Sequence, residues 1–334
     1  MLKKAPYSIH PSKQIRLIID TDAGCEADDQ FAIAQALMTP KFDVRGICAE
    51  HFTDRFDENS EQLSFLEIEK VVTLMGLSGS VSVCHGSPRM TGEGVFEKSE
   101  ASELIVREAM RDDPRPLYIV LLGAVTNVAA AFLANPAVQD RVLLVGGMYP
   151  DNTWNFNSCN DHIAYNILLD SRAEWWTFNL PMGIGMQASI MHLYNAVYPC
   201  GAIGKYLYER TLYAVETLTE RIAEDRAAKR MGCDVSQAAF AAFMPTGENW
   251  SFWDCAVVGM AMYDHMDAYL MKPAPLLLDE TGHTQFRPEH PHVLRCYQMV
   301  DSAMILEDFY AKLKYYFGNE SSFDFLSRQR MHLI

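Results

Sequence analysis

A chain of 334 residues that is 49% hydrophobic and 21% charged reads as a soluble globular protein with a sizeable core. Its formal net charge of −15, with no basic stripe in the sequence, argues against binding nucleic-acid phosphates or an anionic membrane surface. No apolar run reaches membrane-span length, no hydrophobic signal region follows Met1, and the eight cysteines are dispersed without a CxxC pair, so the expectation is a cytoplasmic protein with reduced thiols.

Residues 1–14 are a polar lead-in. Arg16-Leu-Ile-Ile19 predicts a buried parallel strand, apolar on both faces. It runs into Asp20-Thr-Asp22-Ala-Gly-Cys-Glu26-Ala-Asp28-Asp29, which holds five carboxylates in ten residues. A helix follows to about Met38, ended by Thr39-Pro40. Phe42 to Glu50 predicts a second strand, and the loop after it carries His51, Thr53, Asp54 and Asp57. A helix is expected from about Asn59 to Met75, then a short strand, Ser80 to Cys84, entering a loop with His85. Residues 90–99 read as a surface loop and Ala101 to Met110 as a helix.

Leu117 to Leu122 is a buried strand, with a helix from Val128 to Leu133. Arg141 to Val145 is the next strand, ending at Gly146-Gly147, and Tyr149 to Asp161 reads as a loop. A helix around Ile163 to Ser171 precedes a strand, Trp176 to Leu180. Residues 190–245 look largely helical, with a break at Pro245 to Trp250. An apolar helix runs from Cys255 to Met262; strands are expected near Pro275 to Leu278 and Val293 to Tyr297, and a helix from Ser302 to Tyr316. Strand and helix in alternation indicate a mostly parallel central sheet with helices on both faces, an α/β Rossmann-like fold. No repeat or composition shift marks a boundary, so residues 1–334 read as one domain with a helical excursion near 190–250.

The acidic stretch is the candidate site. Asp20 and Asp22 stand where open α/β sheets bind ligands, at a strand's carboxyl end. Asp28 and Asp29 open the next helix, where the macrodipole contributes about 0.3–1 kcal/mol, too little to offset the crowding. A hard divalent cation with oxygen ligands would balance the charge. One alternative is a solvated turn. Another is a magnesium-dependent phosphatase of the haloacid dehalogenase class with Asp20 as nucleophile, but the later Gly-Asp-x-x-x-Asp motif of that class is not found.

Four segments in order carry a resemblance. Asp20-Thr-Asp22-Ala-Gly followed by Asp28-Asp29 is the first, and Leu122-Gly-Ala-Val-Thr-Asn-Val-Ala the second. Val145-Gly-Gly-Met with Asn155-Phe-Asn157 to Asp161-His-Ile-Ala is the third, and Phe252-Trp253-Asp254-Cys-Ala-Val-Val the fourth. Together they resemble the calcium-dependent nucleoside hydrolase family of the inosine-uridine preferring type. The resemblance implies a fold of that type and hydrolysis of the N-glycosidic bond of a small-molecule nucleoside. It further implies Ca2+ held by Asp22, Asp29, Asp254 and the carbonyl of Thr126, with Asp22 as general base toward an activated water. Asp28 and Asn157 are the implied sugar-binding residues, and a homodimer or homotetramer is the implied assembly.

Trp253, where some family members carry histidine, suggests stacking on a purine-type base; Trp154, Trp250 and Phe252 are weaker candidates for a second face. His51 and His85 are candidate acids that read as readily as plain loop histidines. Three departures bear on the sugar. Cys25-Glu26-Ala27 replaces what is usually one residue, Asn155 stands in place of a glutamate, and Glu50-His51-Phe52 replaces a Gly-Asn pair. Glu26, His51 and Asn155 are therefore candidate substrate-binding residues, and a calcium- and ligand-binding homologue with impaired catalysis is the competing expectation.

Overall fold

The computed structural model describes residues 2–52, 59–152, 155–228, 247–263 and 268–318. In chain order the body begins with β1 (Ile15–Thr21), α1 (Asp29–Leu37), β2 (Phe42–Ala49), α2 (Ser60–Leu74) and β3 (Val83–Cys84). It continues with α3 (Glu100–Ala109), β4 (Leu117–Leu121), α4 (Thr126–Ala134), β5 (Val142–Met148), α5 (Phe156–Asn160), α6 (His162–Leu169) and β6 (Glu174–Phe178). Then come α7 (Leu180–Ile184), β7 (Gln187–Ser189), α8 (Ile190–Ala196), α9 (Gly201–Ala228), β8 (Asn249–Ser251) and α10 (Trp253–Met262). Four short strands, β9 (Tyr269–Pro273), β10 (Leu276–Leu277), β11 (Thr284–Gln285) and β12 (Val293–Tyr297), precede the last described helix, α11 (Ser302–Phe317).

Eight strands form one sheet in the order β3-β2-β1-β4-β5-β6-β12-β9. Every pairing in it is parallel except β12 with β9. The mostly parallel α/β sheet expected from the sequence is present. Every residue of β1 is buried, as a strand covered on both faces must be. Seven of the nine residues of α4 and eight of the nine of α1 are buried, so these helices are apolar nearly all round.

The strand order reverses between β1 and β4. The connections that leave their adjacent carboxyl ends pass to opposite faces of the sheet and open a crevice, the usual ligand position in doubly wound folds. Asp20 is in register with Cys48 on one side and Leu121 on the other, so the acidic stretch leaves the sheet at this crevice.

Several boundaries differ from expectation. β5 continues through Gly146 and Gly147, whose φ values are 109° and 70°. A Cβ on Gly146 would lie 2.5 Å from the Leu121 carbonyl oxygen, so only glycine lets β4 and β5 approach there. β6 starts and ends earlier than expected because Asn179 Oδ1 caps α7, accepting from the Met182 N–H at 3.1 Å. The expected loop 149–161 contains α5. β9 had no sequence signal strong enough to name it, and β10 pairs with β11 outside the main sheet. The helical excursion opens with α8 and α9, and its flanks are joined by antiparallel pairing of β7 with β8. Thr53, Asp54, Asp57, Trp154 and the expected break at Pro245 lie outside the described residues. No disulfide links the described cysteines.

Candidate functional site

The acids gather in the crevice on three elements. Asp22 follows β1, Asp28 and Asp29 open α1, and Asp254 stands in the first turn of α10. Carboxylate oxygens of Asp28, Asp29 and Asp254 lie within 4.8 Å of one another, and all three residues are buried. The Asp254 N–H donates to Asp28 Oδ2 at 3.2 Å. The Thr21 hydroxyl donates to Asp29 Oδ1. Asp22 is buried beside them, and its Oδ2 has no hydrogen-bond partner. Gly123, in the loop after β4, backs onto it: a Cβ there would lie 2.9 Å from the Asp22 carboxyl carbon.

Burial comes first among the causes that push the carboxyls of Asp22, Asp28 and Asp254 well above the ordinary range, and charges within the cluster push the same way. Asp29 moves in the same direction, by burial again, although the Thr21 hydroxyl opposes the shift. Glu26, at the partly exposed rim, is raised to about 7 by desolvation and by Asp29, against the opposing charge of Arg210. Four buried carboxyls at one point either take up protons or share a cation. Hard oxygen donors with an orphaned Asp22 oxygen beside them fit a divalent metal ion.

A second layer lies below. Asn127 Nδ2 donates to Asp20 Oδ1 and to the Ala49 carbonyl, each at 2.9 Å, and its N–H donates to Glu50 Oε1 at 2.9 Å. Asn127 thus holds the carboxyls of Asp20 and Glu50 together in the interior. Burial raises Asp20 to about 7 and Glu50 well above its usual range, where the Asp20 charge adds to the shift. Asp20 is wholly buried, and its Oδ1 accepts from Asn127. That leaves no approach for a phosphoester and removes the basis for a phosphatase nucleophile.

Thr126 opens α4 on the far side of the crevice. Its hydroxyl donates to Asp161 Oδ2 at 2.8 Å and pairs with His51 Nε2 at 2.9 Å. The same Asp161 oxygen accepts from the Met90 N–H at 2.9 Å, and Asp161 Oδ1 caps α6 through the Ala164 N–H at 3.0 Å. His51 is thus fixed against the Thr126 side chain. Asn157 Nδ2 donates to the Leu122 carbonyl at 2.8 Å, which ties α5 to the end of β4. Asn155 Oδ1 caps α5 by accepting from the Ser158 N–H at 2.9 Å.

Trp253 is half-buried, and its six-membered ring lies against Gly183 of α7, where a Cβ would meet the ring at 2.1 Å. Phe252 is buried edge-on to Phe31 at 4.7 Å, and Trp250 is buried on β8, so both belong to the core. His85 stacks on Phe65 at 3.7 Å with Nδ1 3.1 Å from Glu61. Asn127 and Asp161 stand out in the sequence only as parts of motifs, and Glu50 only as part of a departure; each is a polar residue beside an apolar segment, a signal that does not name its partner.

A family model described as inosine-uridine preferring nucleoside hydrolase matches residues 17–269. The chain belongs to this family.

Curated relatives include the non-specific ribonucleoside hydrolases RihC of Escherichia coli O127:H6, 24% identical over 191 residues, and of Shigella flexneri, 25% identical over 191 residues. Each match covers 52% of this chain and 60% of the relative, so the chain spans about 60% of the length of the curated relatives it matches. Among solved structures, a plant nucleoside hydrolase superposes with a TM-score of 0.65 at 17% identity, covering 91% of this chain and 99% of that one. The purine-preferring ribonucleoside hydrolase from Gardnerella vaginalis gives 0.65 at 17% identity, over 90% and 98% of the two chains. The type III effector protein XopQ, solved with adenosine diphosphate ribose, gives 0.62 at 13% identity, over 92% and 95%. At these identities the superpositions establish the nucleoside hydrolase fold. The lengthened first motif is accommodated by Gly24, where a Cβ would sit 2.8 Å from the Ser64 backbone nitrogen of α2.

Proposed function

We propose that the protein hydrolyses the N-glycosidic bond of a ribonucleoside or related ribosylated compound, with calcium held by Asp22, Asp29, Asp254 and the Thr126 carbonyl. The observation that carries this reading is the buried Asp28–Asp29–Asp254 cluster at the sheet's switch point, with the unpartnered Asp22 oxygen beside it. When bound, calcium would lower the pKa of a water and bind the ribose diol. Asp22, whose Oδ2 is unpartnered, accepts the proton of the attacking water as general base. The surrounding carboxylates stabilise the oxocarbenium-like transition state. Asp28, Asn157 and Glu26 take sugar hydroxyls, and His51 steadies the Thr126 end of the site. Because the Asp28 oxygens also lie within reach of the Asp29 and Asp254 oxygens, Asp28 bridges sugar and metal in this reading.

A purine-type leaving base is favoured by Trp253, whose indole immediately precedes Asp254 and is backed by Gly183. The purine-preferring ribonucleoside hydrolase from Gardnerella vaginalis, which shares the fold, is consistent with it. The reading includes one domain over residues 1–334, a homodimer or homotetramer, and a cytoplasmic location. Among the described residues, no helix is long and apolar enough to cross a membrane.

A second reading is favoured by Asn155, whose Oδ1 is committed to the cap of α5. The protein would then bind a ribosyl ligand and calcium without efficient turnover, and the effector fold carrying adenosine diphosphate ribose supports it. Release of reducing sugar from a panel of purine, pyrimidine and nicotinamide nucleosides, with calcium and with chelator, separates the two. Calcium-dependent release that disappears in Asp22→Ala is the expected result. Binding without release from any nucleoside would favour the second reading.

A further inference from the structure

The turn that lengthens the first acidic motif is fastened from outside. Arg210 of α9 donates from Nη2 to the Gly24 carbonyl and from Nε to the Glu26 carbonyl, each at 3.1 Å. Gln30 of α1 donates to the Ala23 carbonyl at 2.7 Å from the other side. Glu67 of α2 completes the frame. Its Oε1 accepts from Gln30 Nε2 at 3.1 Å and from the Tyr206 hydroxyl, and lies 4.0 Å from Arg210 Nε.

Glu26 is the partly exposed carboxylate of the group, while Asp22, Asp28, Asp29 and Asp254 are buried. It sits on the clamped turn that joins Asp22 to Asp28, and its charge helps to raise the carboxyls of both. Asn155, where the resemblance implies a glutamate, has its Oδ1 turned to the cap of α5.

We propose that Arg210 is a positioning residue that sets the inserted turn so that the Glu26 carboxylate, rather than residue 155, supplies the charged acceptor for a ribose hydroxyl. The inference rests on the nucleoside hydrolase reading for the sugar and on geometry alone for the clamp. A guanidinium reaches two carbonyls with one rigid fork; a lysine ammonium has no matching geometry. The arrangement also couples the helical excursion to the site, because α9 carries Arg210 and Tyr206 together.

The test uses the full calcium-loaded chain, inosine as substrate, and the variants Glu26→Gln, Arg210→Lys, Arg210→Gln and the double variant Glu26→Gln/Arg210→Lys. Loss of a charge-assisted hydrogen bond corresponds to about tenfold or more in affinity. Each single variant is expected to raise KM by about that factor and to leave kcat within about twofold, the signature of lost uniform binding. The double variant is expected to match Glu26→Gln alone. Additive effects, an unchanged KM, or a loss confined to kcat would overturn the proposal.

Amide hydrogen exchange over residues 24–27 gives a readout without turnover. Faster exchange in both Arg210 variants is expected, and wild-type protection in both would overturn the clamp whatever the activity. If the wild-type protein cleaves no nucleoside, the hydrolase reading fails separately. Exchange then decides the clamp, and calorimetric binding of 1,4-dideoxy-1,4-imino-D-ribitol to Glu26→Gln decides the sugar contact: unchanged affinity overturns it, weakened affinity upholds it.

Discussion

Asp28 Oδ2 accepts the backbone N–H of Asp254 at 3.2 Å, so the carboxylate that begins α1 also caps the beginning of α10. First-turn helix N–H groups have no partner within their own helix, and here one is satisfied from a position 226 residues earlier. The side chain thus has two duties, as a hydrogen-bond acceptor and as a charge beside Asp29 and Asp254. Asp28→Asn keeps an acceptor and removes the charge, whereas Asp28→Ala removes both. Thermal unfolding in chelator is expected to show Asp28→Asn at or above wild type and Asp28→Ala below it by about 1–2 kcal/mol relative to Asn. Equal melting of the two variants would mean that the cap carries no weight.

Stability should depend on pH in opposite ways with and without calcium. The folded carboxyls of Asp22, Asp28 and Asp254 titrate well above their unfolded values, and Asp20 is raised to about 7. A folded pKa above the unfolded one gives stability that is complete below the unfolded value and lost as pH rises through the folded value. The chelated protein is therefore expected to melt at lower temperature at pH 8 than at pH 6. Calcium reverses the trend, because protons compete for its ligands. Scanning calorimetry at the two pH values in chelator and in calcium checks this; a calcium-induced rise in Tm no larger at pH 8 than at pH 6 would contradict it.

Asp254→Asn isolates the metal. One ligand charge disappears, so calcium affinity measured by titration calorimetry should fall by about a hundredfold or more, with hydrolysis falling alongside. The chelated variant should meanwhile melt above chelated wild type, since each pKa unit of buried-carboxyl elevation corresponds to about 1.4 kcal/mol. A variant less stable in chelator than wild type would indicate that the acids carry no mutual repulsion.

Asn127→Ala would strand the buried acceptors Asp20 Oδ1 and Ala49 O and the Ser87 N–H, which Asn127 Oδ1 accepts at 2.7 Å. A loss of about 2–4 kcal/mol in denaturant unfolding is expected, because buried polar groups left unpaired cost about 1–3 kcal/mol each.

Gly183→Ala tests Trp253 from behind. The added methyl would meet the indole at 2.1 Å and must displace it. KM for inosine is expected to rise several-fold more than KM for uridine, since a purine offers more surface to a stacking ring. Equal changes for both substrates would place Trp253 in the core alone.

Much of this was legible in the sequence, for identifiable reasons. The strand at Ile18-Ile19 and the acids beyond it stand out because nothing in a buried strand's neighbourhood explains five carboxylates. The fourth acid, Asp254, was found through its motif, and the close approach of its oxygens to Asp28 is a tertiary fact that no local pattern encodes. The assembly of Asp20 with Glu50 and Asn127 was hidden for the same reason: its members come from three elements. β9 escaped notice because a short edge strand needs little apolar patterning, and Leu270 and Met271 on it are exposed. Arg210 escaped because a single arginine in a charged helix looks like any solvated residue.

The pairing of Ser189 with Asn249 closes the excursion at its neck. Between those strands the excursion is not set apart from the body: Leu193, Val197, Ile203 and Leu207 of α8, α9 and the turn between them are buried in the core, and Arg210 reaches the acidic turn. A substitution in α9 is therefore felt in two places at once, in the packing of the body and at the turn that carries Glu26.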